Sequence, residues 1–138
     1  MDFEDVQRIM KEGGVGLPAT TDGERAALRP MGGWAWVGGE LWCATLDKSA
    51  KAADIRKKPY VEYCFNDKAW NHVRISGPTT ISTDNADKKK LYGLVPILKQ
   101  YIDDPESPEY VVLRTRVERI RYIGATETEY TDVAPPKL

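Results

Sequence analysis

The chain contains one histidine, His72, and two cysteines, Cys43 and Cys64, in 138 residues. So few ligating groups leave no His/Cys/Asp cluster at metal-ligand spacing, and no Ser, Cys or Asp motif points at the histidine. His72 opens a predicted strand and reads first as a structural residue. Both cysteines fall in predicted strands and read as buried thiols of a reducing compartment. A basic excess is also missing. Lys plus Arg number 20 against 21 Asp plus Glu, a formal charge of -1, so nothing asks for nucleic acid as partner. No apolar run approaches the roughly 20 residues that span a bilayer. The first residues, Met1-Asp2-Phe3-Glu4-Asp5, lack the basic-then-apolar order of a signal peptide. The expected location is the cytoplasm, with no membrane partner. No glycine-rich dinucleotide fingerprint follows a strand, and no Walker-type lysine occurs. Gly13-Gly14-Val15-Gly16 precedes its strand and reads as a helix stop.

What is present is a succession of short alternating segments joined by tight turns. Phe3, Val6, Ile9 and Met10 have helical spacing. Strands are predicted over residues 15–21, 25–37 and 40–45, with turns at Asp22-Gly23 and Gly38-Gly39. Gly32-Gly33 marks a bulge or a close backbone approach within the second. A helix over residues 49–58 is ended by Pro59. Strands follow over 60–65 and 70–83, with Pro78 marking an edge or bulge in the latter. Asp84-Asn85-Ala86-Asp87 resembles a capping box opening a helix with Leu91, Leu94, Val95, Leu98 and Ile102 as its stripe, which Pro96 kinks or splits. The last long strand covers 110–117, and the period slips at Glu118-Arg119 before Ile120 and Tyr122. Residues 126–138 are polar, end with Pro135-Pro136 near the terminus, and are expected to fray as a tail behind one domain of residues 1–125. The fold class is mainly β (α+β): a six- to seven-stranded antiparallel barrel with short flanking helices.

Two features carry chemistry. The first is Thr45-Leu46-Asp47-Lys48-Ser49-Ala50-Lys51, where a strand turns into a helix. A helix N-terminus offers free N–H groups and the positive end of its dipole, so it stabilises an anion such as phosphate. Ser49 suits the N-cap, and Lys48 and Lys51 both bring charge to the turn. A capped helix with solvated lysines is the ordinary use of such a turn, and an anion site is the alternative. The second feature is four tryptophans, Trp34, Trp36, Trp42 and Trp70, three of them in one hairpin. Core packing is the ordinary use of such residues; stacking of a flat aromatic ligand is the alternative.

An ordered set of segments then stands out: Leu17-Pro18-Ala19-Thr20-Thr21-Asp22-Gly23, Leu28-Arg29-Pro30-Met31, Glu40-Leu41-Trp42-Cys43-Ala44-Thr45, Ser49-Ala50-Lys51, Arg56-Lys57-Lys58-Pro59-Tyr60-Val61, Val73-Arg74-Ile75-Ser76-Gly77 and Asp84. In this order the chain resembles the pyridoxamine 5'-phosphate oxidase-related family, in particular its short general-stress-protein branch, from about residue 2 to residue 123. The resemblance implies a split β-barrel that binds FMN, usually at the interface of a homodimer. It implies that Arg29, Pro30 and Met31 lie along the isoalloxazine ring and that Thr45, Ser49 and Lys51 hold the phosphate. Trp70 is the candidate contributed across the dimer. FMN brings the redox chemistry itself, which leaves the protein to orient and tune it. Arg29 beside the ring would favour reduction.

By the same resemblance, true pyridoxamine phosphate oxidase activity is not expected. Those enzymes are longer and hold substrate phosphate with C-terminal arginines, whereas this chain ends Asp132-Val133-Ala134-Pro135-Pro136-Lys137-Leu138. The function implied is an FMN-dependent oxidoreductase of unassigned substrate. A flavin carrier or redox sensor without turnover is the alternative, as is a heme or deazaflavin binder on the same barrel, in which His72 would gain a role.

Overall fold

A computed structural model of the protein describes residues 1–137. Helix α1 (Phe3–Gly13) is followed by strands β1 (Leu17–Thr21), β2 (Ala26–Leu28), β3 (Trp34–Val37) and β4 (Glu40–Leu46). Helix α2 (Ala50–Lys57), strands β5 (Tyr60–Asn66) and β6 (His72–Ser82), and helix α3 (Asn85–Leu94) come next. A 3-10 helix (Pro96–Gln100) leads to β7 (Tyr110–Arg116), β8 (Arg119–Ile123) and β9 (Thr131–Val133).

The strands form one nine-stranded antiparallel system of order β2-β1-β5-β6-β7-β4-β3, with β8 and β9 branching from β6. The sheet is not closed. Its organiser is β6, the longest strand. Residues 72–78 pair with β5, while the other edge pairs first with β8 through residues 72–76 and then with β7 through residues 79–82. The partner changes at Gly77-Pro78, opposite the break between β7 and β8. A Cβ on Gly77 would collide with the Arg116 carbonyl, so glycine lets the backbones cross there.

The alternating pattern places Val61, Tyr63, Phe65, Val73, Ile75, Leu113 and Ile120 inside, all buried. Helix α1 adds Val6, Ile9 and Met10 to that core. Each such large apolar side chain contributes about 1.5–3 kcal/mol of burial. A second cluster lies outside β4 and β7, where Leu91, Val95, Leu98 and Ile102 pack on Trp42, Tyr110 and Val112.

Several local expectations are corrected. Nine strands form where six or seven are predicted, because β2 and β9 are three-residue strands too short to show a period. The predicted strand over 25–37 is two strands, β2 and β3, separated by residues 29–33. Residues 131–133 do not fray: Val133 pairs with Ile120 and is buried. Asp84 caps α3 by accepting from Ala86 N, but Asp87 turns to Ser82 and Arg114 and closes no capping box. The reciprocal box forms instead at Asp2 and Asp5. Pro96 splits the predicted helix as expected, yet Leu94 is exposed and off the stripe.

Candidate functional site

Residues 29–33 link the two halves of the sheet. Met31 exchanges backbone hydrogen bonds with Gly16, at 2.8 and 2.7 Å, beside β1. Two residues on, the Gly33 carbonyl accepts from Ala44 N of β4 at 3.1 Å. Gly33 fits closely, since a Cβ there would lie 2.8 Å from Leu98 Cδ2. This linker forms one wall of an open cleft of about 560 Å³, within the range of small-molecule sites. The β4–α2 turn supplies Ala44, Thr45, Leu46, Ser49 and Lys51, and the segment after α3 supplies Ile97, Leu98, Tyr101 and Ile102.

The turn builds a cationic, donor-rich end to this apolar cleft. Ser49 is the N-cap of α2, its Oγ accepting from Ala52 N at 3.1 Å. Thr45 Oγ1 lies 3.1 Å from the same Oγ. A hydroxyl carries one proton, so whichever of the two accepts in that contact keeps its own for a ligand. The amides of Ala50 and Lys51 have no partner among the described residues, as the first turn of a helix requires.

Lys51 is half-buried and has no acidic partner within 4 Å among the described residues. Burial holds its ammonium below the usual lysine pKa. The neighbouring Cys43 thiol opposes this fall, and the charge of Arg29 adds to it. A half-buried, unpaired cation beside another cation is stabilised by an anion. The donor set therefore fits a dianionic phosphate at this end of the cleft.

Of the residues singled out in the sequence, Met31, Thr45, Ser49 and Lys51 come together on this cleft. Arg29 and Pro30 adjoin it in sequence without lining it. Pro30 is exposed. Arg29 turns back over β1, where Nη1 donates to Thr20 Oγ1 at 2.8 Å and Nη2 lies 3.8 Å from Asp54 of α2. Trp70 sits on the β5–β6 turn, away from these lining residues, and is 73% exposed. The other tryptophans pack. Trp36 Nε1 donates to Met10 Sδ and Trp34 Nε1 to the Gly14 carbonyl, fixing α1 on the barrel. Trp42 lies under Arg114, whose guanidinium carbon is 4.9 Å from the ring. His72 lies outside the cleft, with Nε2 2.8 Å from Tyr130 Oη. The described residues contain no group of three or more His, Cys, Asp or Glu able to hold a metal.

The sequence reading missed the wall of Ile97, Leu98, Tyr101 and Ile102. Its signal was Pro96, which ends the α3 stripe and starts the 3-10 turn whose residues line the cleft.

A family model described as Pyridoxamine 5'-phosphate oxidase like matches residues 2–133. The chain belongs to that family. Solved structures of the same fold include General Stress Protein 26 from Bacillus anthracis str. Sterne, 24% identical, with TM-score 0.76 over 94% of this chain and 96% of that one. A pyridoxamine 5'-phosphate oxidase-related, FMN binding protein from Nostoc punctiforme is 15% identical, with TM-score 0.69 over 94% and 86%. A heme binding protein from Mycobacterium smegmatis is 19% identical, with TM-score 0.74 over 94% and 57%. These likenesses establish the split-barrel fold. No curated protein matches the sequence. No helix among the described residues is long and apolar enough to cross a membrane.

Proposed function

We propose that this protein binds FMN and acts as an oxidoreductase on a small substrate, working as a homodimer with the cofactor at the interface. The observation that carries the reading is Lys51: a half-buried, unpaired cation at the capped N-terminus of α2, facing an apolar cleft. In this reading the phosphate lies on Thr45, Ser49 and Lys51, and the ring extends along Met31 towards Arg29 and Pro30. Trp70 approaches from across the dimer. Bound FMN supplies hydride and electron transfer. The protein's part is to anchor the phosphate, exclude water with Leu98 and Ile102, and hold Arg29's positive charge beside the strand. No carboxylate or histidine lines the cleft among the described residues, and flavin redox chemistry in principle needs no general base.

The test begins with purified protein. It is expected to be yellow and to release FMN, rather than riboflavin or heme, on denaturation. A colourless protein that fails to take up added FMN sinks the reading. A Soret band would assign the cleft to heme, although His72, held by Tyr130, gives that reading no ligand in the cleft. A carrier without turnover is the second reading, favoured by Lys51 being the one charged group lining the cleft among the described residues. Stopped-flow mixing with NADH or NADPH separates the two, since flavin bleaching is expected only of the enzyme.

A further inference from the structure

Arg29 is not free to reach the cleft by itself. Its guanidinium lies in a small polar cluster between β1 and α2. Thr20, 3% exposed, accepts from Arg29 Nη1 at 2.8 Å and donates its own proton to Asp54 Oδ2 at 2.7 Å. The same carboxylate oxygen lies 3.8 Å from Arg29 Nη2, and Nη1 also reaches the Pro18 carbonyl at 3.5 Å. Both charged side chains are largely covered, at 25% and 17% exposed. A hydroxyl that accepts from one ion and donates to the other fixes both partners, and ion pairs of this kind are short of water to compete.

The placement matters because the cluster joins two parts of the proposed site. Asp54 is carried by α2, the helix whose first turn bears Ser49 and Lys51. Arg29 is carried by the linker that becomes a cleft wall at Met31. Arg29's charge is felt at Lys51, and Asp54 is the only carboxylate paired with Arg29 among the described residues.

We infer that Asp54, acting through Thr20, is a positioning residue. It fixes Arg29 against α2, and so holds the ring end of the site in place. This rests on the FMN reading above.

The test uses Asp54→Asn and Thr20→Val, each measured well below its melting temperature. Riboflavin lacks the phosphate, so it reports the ring end alone. Asp54→Asn is expected to weaken riboflavin and FMN by the same factor, about tenfold, and Thr20→Val by a smaller factor in the same direction. The reduction potential separates positioning from simple charge. Removing a nearby carboxylate would raise the potential of a ring that gains negative charge on reduction. Releasing Arg29 from its place would lower it. A fall in both variants is expected. Unchanged riboflavin affinity, or a rise in potential in Asp54→Asn, overturns the inference while leaving FMN binding standing. Wild-type protein that binds no flavin removes both, and the wild-type titration alone shows that.

Discussion

Single residues here are tuned by burial, and two predictions follow at that scale. The double variant Ser49→Ala/Lys51→Ala removes a hydroxyl and the unpaired ammonium from the α2 turn. FMN affinity is expected to fall by about a hundredfold and riboflavin by less than about threefold, since charge-assisted bonds to the phosphate are lost and ring contacts are not. Isothermal titration with both ligands measures this, and equal losses would move the phosphate elsewhere. The second prediction concerns Cys43 and Tyr63, which hydrogen-bond inside the barrel at 3.4 Å. Burial pushes the Cys43 thiol up to about 12 from an ordinary 9.0, although its bond to Tyr63 pulls the other way. Burial, followed by the neighbouring thiol, lifts Tyr63 well above 10.0. Well below pH 9 neither group ionises appreciably in either state, so neither costs stability. Above it the unfolded chain loses the Cys43 proton while the folded chain keeps it. Stability then falls by about 1.4 kcal/mol per pH unit for Cys43, and by further such losses above pH 10 for Tyr63 and for Tyr110, which burial pushes up to about 12. Urea unfolding from about pH 8 to about pH 10.5 reads the slope, and Cys43→Ala should reduce its first part, leaving the share of Cys64, whose thiol burial also raises.

Among the elements, β6 joins the two halves of the barrel because Gly77 lets the β7–β8 break pass against it. Gly77→Ala is expected to cost about 3 kcal/mol, near the upper end for overpacking, since the obstacle is backbone. Gly93→Ala, in α3 with nothing within 4 Å of the added carbon, should gain about 0.5–1 kcal/mol. Equal melting temperatures for the two variants would refute the crossing. Much at this scale was legible in the sequence. Ser49 as N-cap and Pro59 and Pro96 as stops are local signals that lie where the residues put them, while the period slip expected at Glu118-Arg119 falls one residue earlier, at Val117-Glu118, because Arg119 already opens β8. What was not legible depends on distant pairing. Thr131–Val133 is polar at two of three positions, and only the open edge of β8 makes it a strand. The break at residues 29–33 arises because Met31 is bonded to Gly16 and Gly33 to Ala44, two contacts no local period encodes. The cleft was legible at its Thr45, Ser49 and Lys51 end, which is one continuous turn. Its far wall was not, because it comes from a segment some fifty residues later.

For the molecule as a whole, the feature without a role inside one chain is Trp70. It has φ 69°, the left-handed region that disfavours any side chain, and it is the one non-glycine residue so placed among those described. The turn is rigid. Asp67, 4% exposed, accepts from Ala69 N, Asn71 N and Asn71 Nδ2 at 2.9, 3.0 and 2.9 Å, and its carbonyl accepts from Trp70 N at 3.2 Å. A strained backbone thus presents a large ring to the outside on a firm base, with little burial in return. Strain kept at a surface position in this way is consistent with function. Trp70→Gly separates folding from function. Glycine relieves about 1 kcal/mol of strain, so the flavin-free melting temperature should rise by about 2–5 °C. If Trp70 covers the cofactor across a homodimer, the same variant should bind FMN and riboflavin more weakly by similar factors, and sedimentation should show a dimer for the wild-type holoprotein. A variant that melts higher and binds flavin undiminished would strip Trp70 of a cofactor role. A wild-type monomer with full FMN affinity would remove the dimer from the proposal and leave the α2 phosphate site intact.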